Sequence, residues 1–155
     1  MKQALLLFWP VFIFASCTSC EKSTITRVNR DTIDNNNPTP LTKMKINIGT
    51  SRFTATLSDN ATAAAFKSLL PMTVNMVELN GNEKYFDLSA SLPANASNPG
   101  TIQSGDLMLY GANTLVLFYK SFTTTYSYTK LGRITDTTGL AAAVGPRNVT
   151  VTFEL

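Results

Sequence analysis

The sequence predicts a mainly β fold, a closed eight-stranded antiparallel barrel with one or two helices, occupying residues 43–155. Three observations carry that expectation. Apolar and polar residues alternate with period two in segment after segment, which turns one side chain inward and the next outward along a strand. Turn residues separate these segments at short intervals. Only Ala61–Leu70 has sustained helical spacing. Eight antiparallel strands close into a barrel whose interior is just filled by side chains, and closure removes exposed strand edges. A two-sheet sandwich is the alternative arrangement of the same strands.

Residues 1–16 read as a lipoprotein signal peptide. Lys2 precedes an almost wholly apolar run, Ala4–Phe14, and then come Ala15, Ser16 and Cys17. A short positive start, an apolar core of about a dozen residues and small residues before a cut form a secretory signal. The run falls short of the ~20 residues a spanning helix needs, and Pro10 interrupts it. Phe14-Ala15-Ser16-Cys17 resembles the bacterial lipobox, with Phe14 where leucine is usual. Cys20 is the alternative attachment point, behind a poorer box. The expected partner is therefore a lipid bilayer held through acylated Cys17, and the expected location is the bacterial cell envelope. One acyl chain anchors only marginally; bacterial lipoproteins, by resemblance, carry two or three.

Residues 17–42 read as the lipidated N-terminus and a disordered linker. The stretch is rich in Ser, Thr and Asn and contains Asn35-Asn36-Asn37-Pro38-Thr39-Pro40. Too few large apolar side chains occur to offset the entropy of ordering. A flexible tether of this length spans about 28 Å root-mean-square, enough to hold a domain clear of a membrane.

Within 43–155, Ile46 and Ile48, then Phe53, Ala55 and Leu57, alternate around Gly49-Thr50 and predict a hairpin. Ser58-Asp59-Asn60 is a capping cluster before the helix, whose Ala65, Phe66, Leu69 and Leu70 share a face and which Pro71 stops. Met72, Val74 and Met76 alternate, and Val77 and Leu79 continue in the other phase, which predicts a bulge. Asn80-Gly81 is a strong hairpin turn. Residues 89–105 form a long loop, and loops beyond about 12–15 residues are uncommon unless they have a role. Leu107–Tyr110 and Leu115–Tyr119 are continuous apolar runs, as in a hairpin covered on both faces. Tyr126–Ile134 is the next strand, Gly139–Gly145 a short helical turn, and Val149, Val151, Phe153 and Leu155 end with clean alternation.

Composition removes several chemistries. Histidine is absent, which excludes Ser-His triads, Cys-His dyads and His-ligated zinc. The only cysteines, Cys17 and Cys20, precede the domain, so it has no disulfide and no thiolate nucleophile. The net charge of +3 is spread without a basic cluster, so no nucleic-acid partner is expected. No cofactor and no metal site is expected, and the protein should be a monomer. Asp87 and Asp106 are two carboxylates without an ordered loop of further ligands, too few for calcium.

Asp59-Asn60-Ala61-Thr62-Ala63 with Phe66 and Leu69-Leu70-Pro71, then Glu78–Phe86, Gly105–Gly111, Leu117–Lys120 and Tyr126–Gly132, are stretches that follow one another in order. Together they resemble a bacterial cyclophilin-like domain family, in particular a lipoprotein member of the Bacteroides type. The resemblance covers nearly all of 43–155 in order and implies a closed eight-stranded barrel. Ala64 stands where members often carry an arginine, so no role for that arginine transfers. True cyclophilins are proline isomerases, in which an arginine hydrogen-bonds the proline amide nitrogen and lowers a barrier of ~18–20 kcal/mol. Their Phe-His-Arg signature is missing here, and Gln103-Ser104-Gly105-Asp106 only faintly resembles one of their segments.

The best candidate for ligand binding is the aromatic group Tyr119, Phe122, Tyr126 and Tyr128, with Lys130 and Arg133 nearby. Tyrosine offers contact area and a polar handle at low entropic cost. These residues would hold an anionic or peptide ligand, or else simply pack the barrel. Glu83 and Lys84 read as an exposed ion pair after the turn. The expectation is a domain that binds a small molecule or peptide in an aromatic-lined cleft; no residue stands out as catalytic. The alternatives are an isomerase acting on envelope proteins and an accessory docking protein. An arginine above an apolar floor would favour the isomerase, and a tyrosine-lined pocket without one would favour binding.

Overall fold

The computed structural model describes residues 41–155. The signal peptide at 1–16, the attachment residue Cys17 and nearly all of the 17–42 linker lie outside the described residues. The elements are β1 (Lys43–Ile48), β2 (Ser51–Leu57), α1 (Ala61–Lys67), β3 (Met72–Leu79), β4 (Glu83–Asp87), β5 (Thr101–Ile102), β6 (Asp106–Tyr110), β7 (Thr114–Phe118), β8 (Phe122–Thr123), β9 (Thr129–Ile134), α2 (Leu140–Val144) and β10 (Val149–Glu154). Eight strands close in the order β1-β10-β3-β4-β7-β6-β9-β2, every pairing antiparallel, and β5 and β8 form a separate two-stranded sheet. The barrel, rather than the sandwich, is the architecture.

Alternation fills the barrel as the sequence indicates. Met44, Ile46, Ile48, Phe53, Ala55, Leu57, Val74, Met76, Leu107, Leu109, Leu115, Leu117, Val151 and Phe153 are all buried in one cluster. Asn60 caps α1, its side chain accepting from the Ala63 N–H at 2.8 Å and donating to the Lys130 carbonyl at 2.8 Å. Phe66 then meets Phe153 edge to face, with centroids 5.9 Å apart. The helix ends at Lys67, earlier than its apolar spacing indicates. Leu69 and Leu70 donate to the carbonyls three residues back, because the residue before a proline is driven out of the α region. Leu69 consequently lies exposed rather than on the packed face. Leu140 and Val144 of α2 are buried in the same core.

The bulge expected in β3 is not there. Glu78 pairs across to Lys84, and both continue the inward-facing series that Met72, Val74 and Met76 begin. Val77 and Leu79 belong to the outer face, so the apparent phase slip reflects a polar residue in an inward position. The register irregularity falls instead in β9, where Leu107 faces Gly132 and Met108 faces Lys130, leaving Leu131 as the extra residue. Gly132 is required there: a Cβ would stand 2.5 Å from the Thr56 carbonyl oxygen of β2. Residues 126–128, expected to begin that strand, are not in β9. Tyr128 pairs with Ser97 and draws the long 89–105 loop over the outer surface of the barrel.

Candidate functional site

The part of the wall made by β7 and β6 is apolar on both sides. Its inner residues, such as Leu115 and Leu117, belong to the barrel core. Its outer residues Met108, Val116 and Phe118 belong to a second cluster with Ile102 of β5 and with Tyr128. The pairing of Ile102 with Phe122 puts the small β5–β8 sheet over that surface as a roof. Continuous apolar runs in β6 and β7 are what such a wall demands, because both faces are covered.

Beside the second core lies a cleft of about 390 Å³. Its floor is the outer face of β4, Glu83, Tyr85 and Asp87, with Thr114 and Val116 of β7 next to them. Tyr110 at the end of β6 and Tyr126 and Tyr128 from the covering segment form its walls, and Leu79 and Asn80 its rim. Of the five tyrosines in the sequence, four line this cleft. Tyr110 meets Tyr126 edge-on, centroids 6.2 Å apart at 87°, and Tyr128 at 5.6 Å. Tyr128 is fixed from behind by Phe118 at 5.4 Å.

Glu83 is the unusual group in the cleft. It is only 9% exposed, and its strand neighbour across the ladder is Phe118. Among the described residues its carboxylate has no hydrogen-bond or ion-pair partner. Burial, and then the negative charge of Glu78, push its pKa above the ordinary carboxyl value. The Tyr128 phenol is pushed up to about 12, by burial first and the Glu83 charge second, so it stays protonated. Asp87 accepts from the Thr114 hydroxyl at 2.6 Å.

Lys84 points the other way. It is fully buried inside the barrel end, where its ammonium donates to Glu78 Oε2 at 2.5 Å and to the Gly145 and Arg147 carbonyls at 2.8 and 2.6 Å. Glu83 and Lys84 are thus not an exposed pair: strand alternation separates them onto opposite sides of the wall. Tyr119 completes the inner group, its hydroxyl 2.9 Å from each Glu78 oxygen. Burial would raise the Glu78 pKa, but the hydrogen bonds from Lys84, Tyr119 and the Gly81 N–H, together with the Lys84 charge, outweigh it and hold Glu78 below its ordinary value.

The ligand-binding candidates from the sequence therefore divide. Tyr126 and Tyr128 share the cleft. Tyr119 is committed to Glu78 inside the barrel. Lys130 is exposed on β9, with its carbonyl holding the Asn60 cap. Arg133 pairs with Asp106 at 3.3 Å beside a different groove, formed with Thr56 and Ser104. Phe122 roofs the second core. Glu83, Tyr85, Asp87 and Tyr110 join Tyr126 and Tyr128 in the cleft, although in the sequence Glu83 reads only as half of an ion pair and Asp87 only as one of two carboxylates too few for calcium. The odd-numbered alternation of β4 is the signal that groups the first three.

No curated protein matches the chain. Among solved structures, it is similar to the solution structure of a hypothetical protein from Archaeoglobus fulgidus, at 17% identity and a TM-score of 0.51, covering 74% of this chain and 94% of that one. That likeness speaks for the barrel fold alone. The model of the Cyclophilin-like family matches residues 46–154, which is nearly the whole described domain. By that match, the chain is a member of the Cyclophilin-like family.

Proposed function

We propose that this chain is a lipid-anchored protein of the bacterial envelope whose cyclophilin-like domain binds a small molecule or peptide in the tyrosine-lined cleft. The observation that carries the binding reading is the convergence of four tyrosines on one concavity of about 390 Å³. Concave sites with apolar walls and a few polar groups are where proteins take small ligands. The anchor rests on the Phe14-Ala15-Ser16-Cys17 box. An isomerase of the cyclophilin type needs an arginine beside an apolar floor, and the cleft lining contains none.

Binding is tested by NMR on the full chain with ring-labelled tyrosine, titrated with a panel of dipeptides, sugars, organic acids and amines. A ligand of the cleft shifts Tyr85, Tyr110, Tyr126 and Tyr128 and leaves Tyr119 in place, since Tyr119 faces the barrel interior. A panel that moves none of the four overturns the reading. The anchor is tested by labelled palmitate: incorporation should be lost in Cys17→Ala, and continued labelling would move the attachment to Cys20.

A further inference from the structure

We propose that the ligand of this cleft is a small organic ammonium ion, held by the tyrosine rings and by Glu83. The inference rests on the binding reading above and adds the charge and chemical class of what is bound.

Three observations point the same way. First, the ionisable groups lining the cleft, apart from phenols, are Glu83 and Asp87; no lysine or arginine lines it. An anionic ligand would bring a third negative charge beside two carboxylates. Second, Glu83 is nine-tenths buried, opens into the cleft and lacks a partner among the described residues, although Asp87, four residues along the same face, is bonded to Thr114. Its oxygens keep access to the cleft instead of meeting donors of the protein. Here a bound cation supplies the missing partner. Third, tyrosine rings attract cations through the negative face of the ring, and quaternary and alkylated ammonium groups are recognised by cages of such rings. Tyr110 is in ring contact with both Tyr126 and Tyr128, and Tyr85 lies on the floor beside Glu83. The raised pKa of Glu83 fits a site that is short of one positive charge.

A free alkylammonium and the end of a lysine side chain share this chemistry. The test uses the full chain with ring-labelled tyrosine and four probes: choline, its neutral isostere 3,3-dimethyl-1-butanol, pentanoate, and N-acetyl-lysine methylamide. Choline or the blocked lysine should shift the four cleft tyrosines and spare Tyr119, and which of them does so identifies the source. The neutral isostere should bind at least about tenfold more weakly than choline, and pentanoate not at all. In Glu83→Gln, cation affinity should fall by at least about tenfold while the neutral isostere is unaffected. If the isostere or pentanoate binds as well as the cations, the charge assignment is overturned and the binding reading survives. Unchanged cation affinity in Glu83→Gln overturns the charge assignment in the same way. If no probe, and nothing in the wider panel, moves the four tyrosines, both fall. The comparison among probes needs no variant, so a misfolded mutant does not remove the test.

Discussion

Glu78 and Glu83 sit five residues apart, on either side of one hairpin turn, and do opposite things. Glu78 faces into the barrel end and collects a lysine ammonium, a phenol and a backbone N–H. Glu83 faces out of the wall and, among the described residues, collects nothing. The first carboxylate is held below its ordinary pKa and the second above it. Burial is unfavourable to both charges; the difference lies entirely in the donors that answer it. A satisfied buried charge ties strands and loops together. An unsatisfied one beside a cleft points to something from outside.

The comparison breaks most visibly at Lys84, which serves Glu78 and two carbonyls of the loop after α2. Lys84→Met should cost about 1–3 kcal/mol, because it leaves a part-buried carboxylate and two carbonyls without their donor. Urea unfolding measures it. Adding Glu78→Leu should recover part of the loss, since replacing a whole buried pair is far milder than removing half of it. A loss below about 1 kcal/mol for Lys84→Met would mean that the inner cluster does not hold the barrel end together.

The same hairpin shows what the sequence made legible. Period-two alternation located β1, β2, the start of β3 and β10, because their inner face is buried and a sequence records that face directly, while continuous apolar runs located β6 and β7, which are covered on both sides. Asn80-Gly81 marked its turn, and both residues have positive φ, 56° and 70°. The Glu78–Lys84 pair was not legible. A polar residue in an inward position imitates a change of phase, and its partner across the ladder is fixed only by the three-residue loop that pairs Leu79 with Glu83. Half of the cleft was legible for a related reason. Tyr126 and Tyr128 stand close together in sequence, whereas Tyr85 and Tyr110 reach them only through the β4-β7-β6 neighbour order and the Ser97–Tyr128 bridge. Such long-range pairings are decided by closure, which no local window contains.

A smaller and oppositely signed effect is expected at Glu83. Glu83→Gln keeps the shape and removes an unpaired charge from a largely covered residue, so at neutral pH the variant should be more stable, by no more than about 1 kcal/mol. The pH dependence follows from the raised pKa. In the unfolded chain the carboxyl ionises near 4.5, while in the folded state it keeps its proton to higher pH. Its contribution is therefore full below 4.5 and is lost as pH rises through the folded value. The titratable groups that share its cleft are Tyr85 and Asp87 on β4, Tyr110 on β6, and Tyr126 and Tyr128 before β9, and the charge of Glu78 on β3 acts on it from the inner side of the wall. Denaturation midpoints of wild type and Glu83→Gln should coincide in acid and separate as pH rises. Glu78, with its lowered pKa, gives the reverse: stability present above 4.5 and lost as pH falls through its folded value. A wild type that gains on Glu83→Gln as pH rises would show that Glu83 has a partner in the folded protein.

The smallest stability effect belongs to one of the four cleft tyrosines. Tyr126 is 62% exposed, and its one aromatic neighbour among the described residues is Tyr110 at 6.2 Å. Tyr126→Ala should therefore change stability by no more than about 0.5 kcal/mol. In the cleft, however, it removes one of the four rings that a ligand meets. Affinity for whichever probe shifts the cleft tyrosines should fall by about tenfold. A thermal melt and a titration on the same sample separate the two quantities. Lys84 lies at the other extreme, where stability falls most and the cleft chemistry is untouched, because its ammonium faces away from the ligand. If Tyr126→Ala destabilised the protein while leaving probe affinity intact, the aromatic group would be packing, and the division of labour between the two sides of the β4 wall would be wrong.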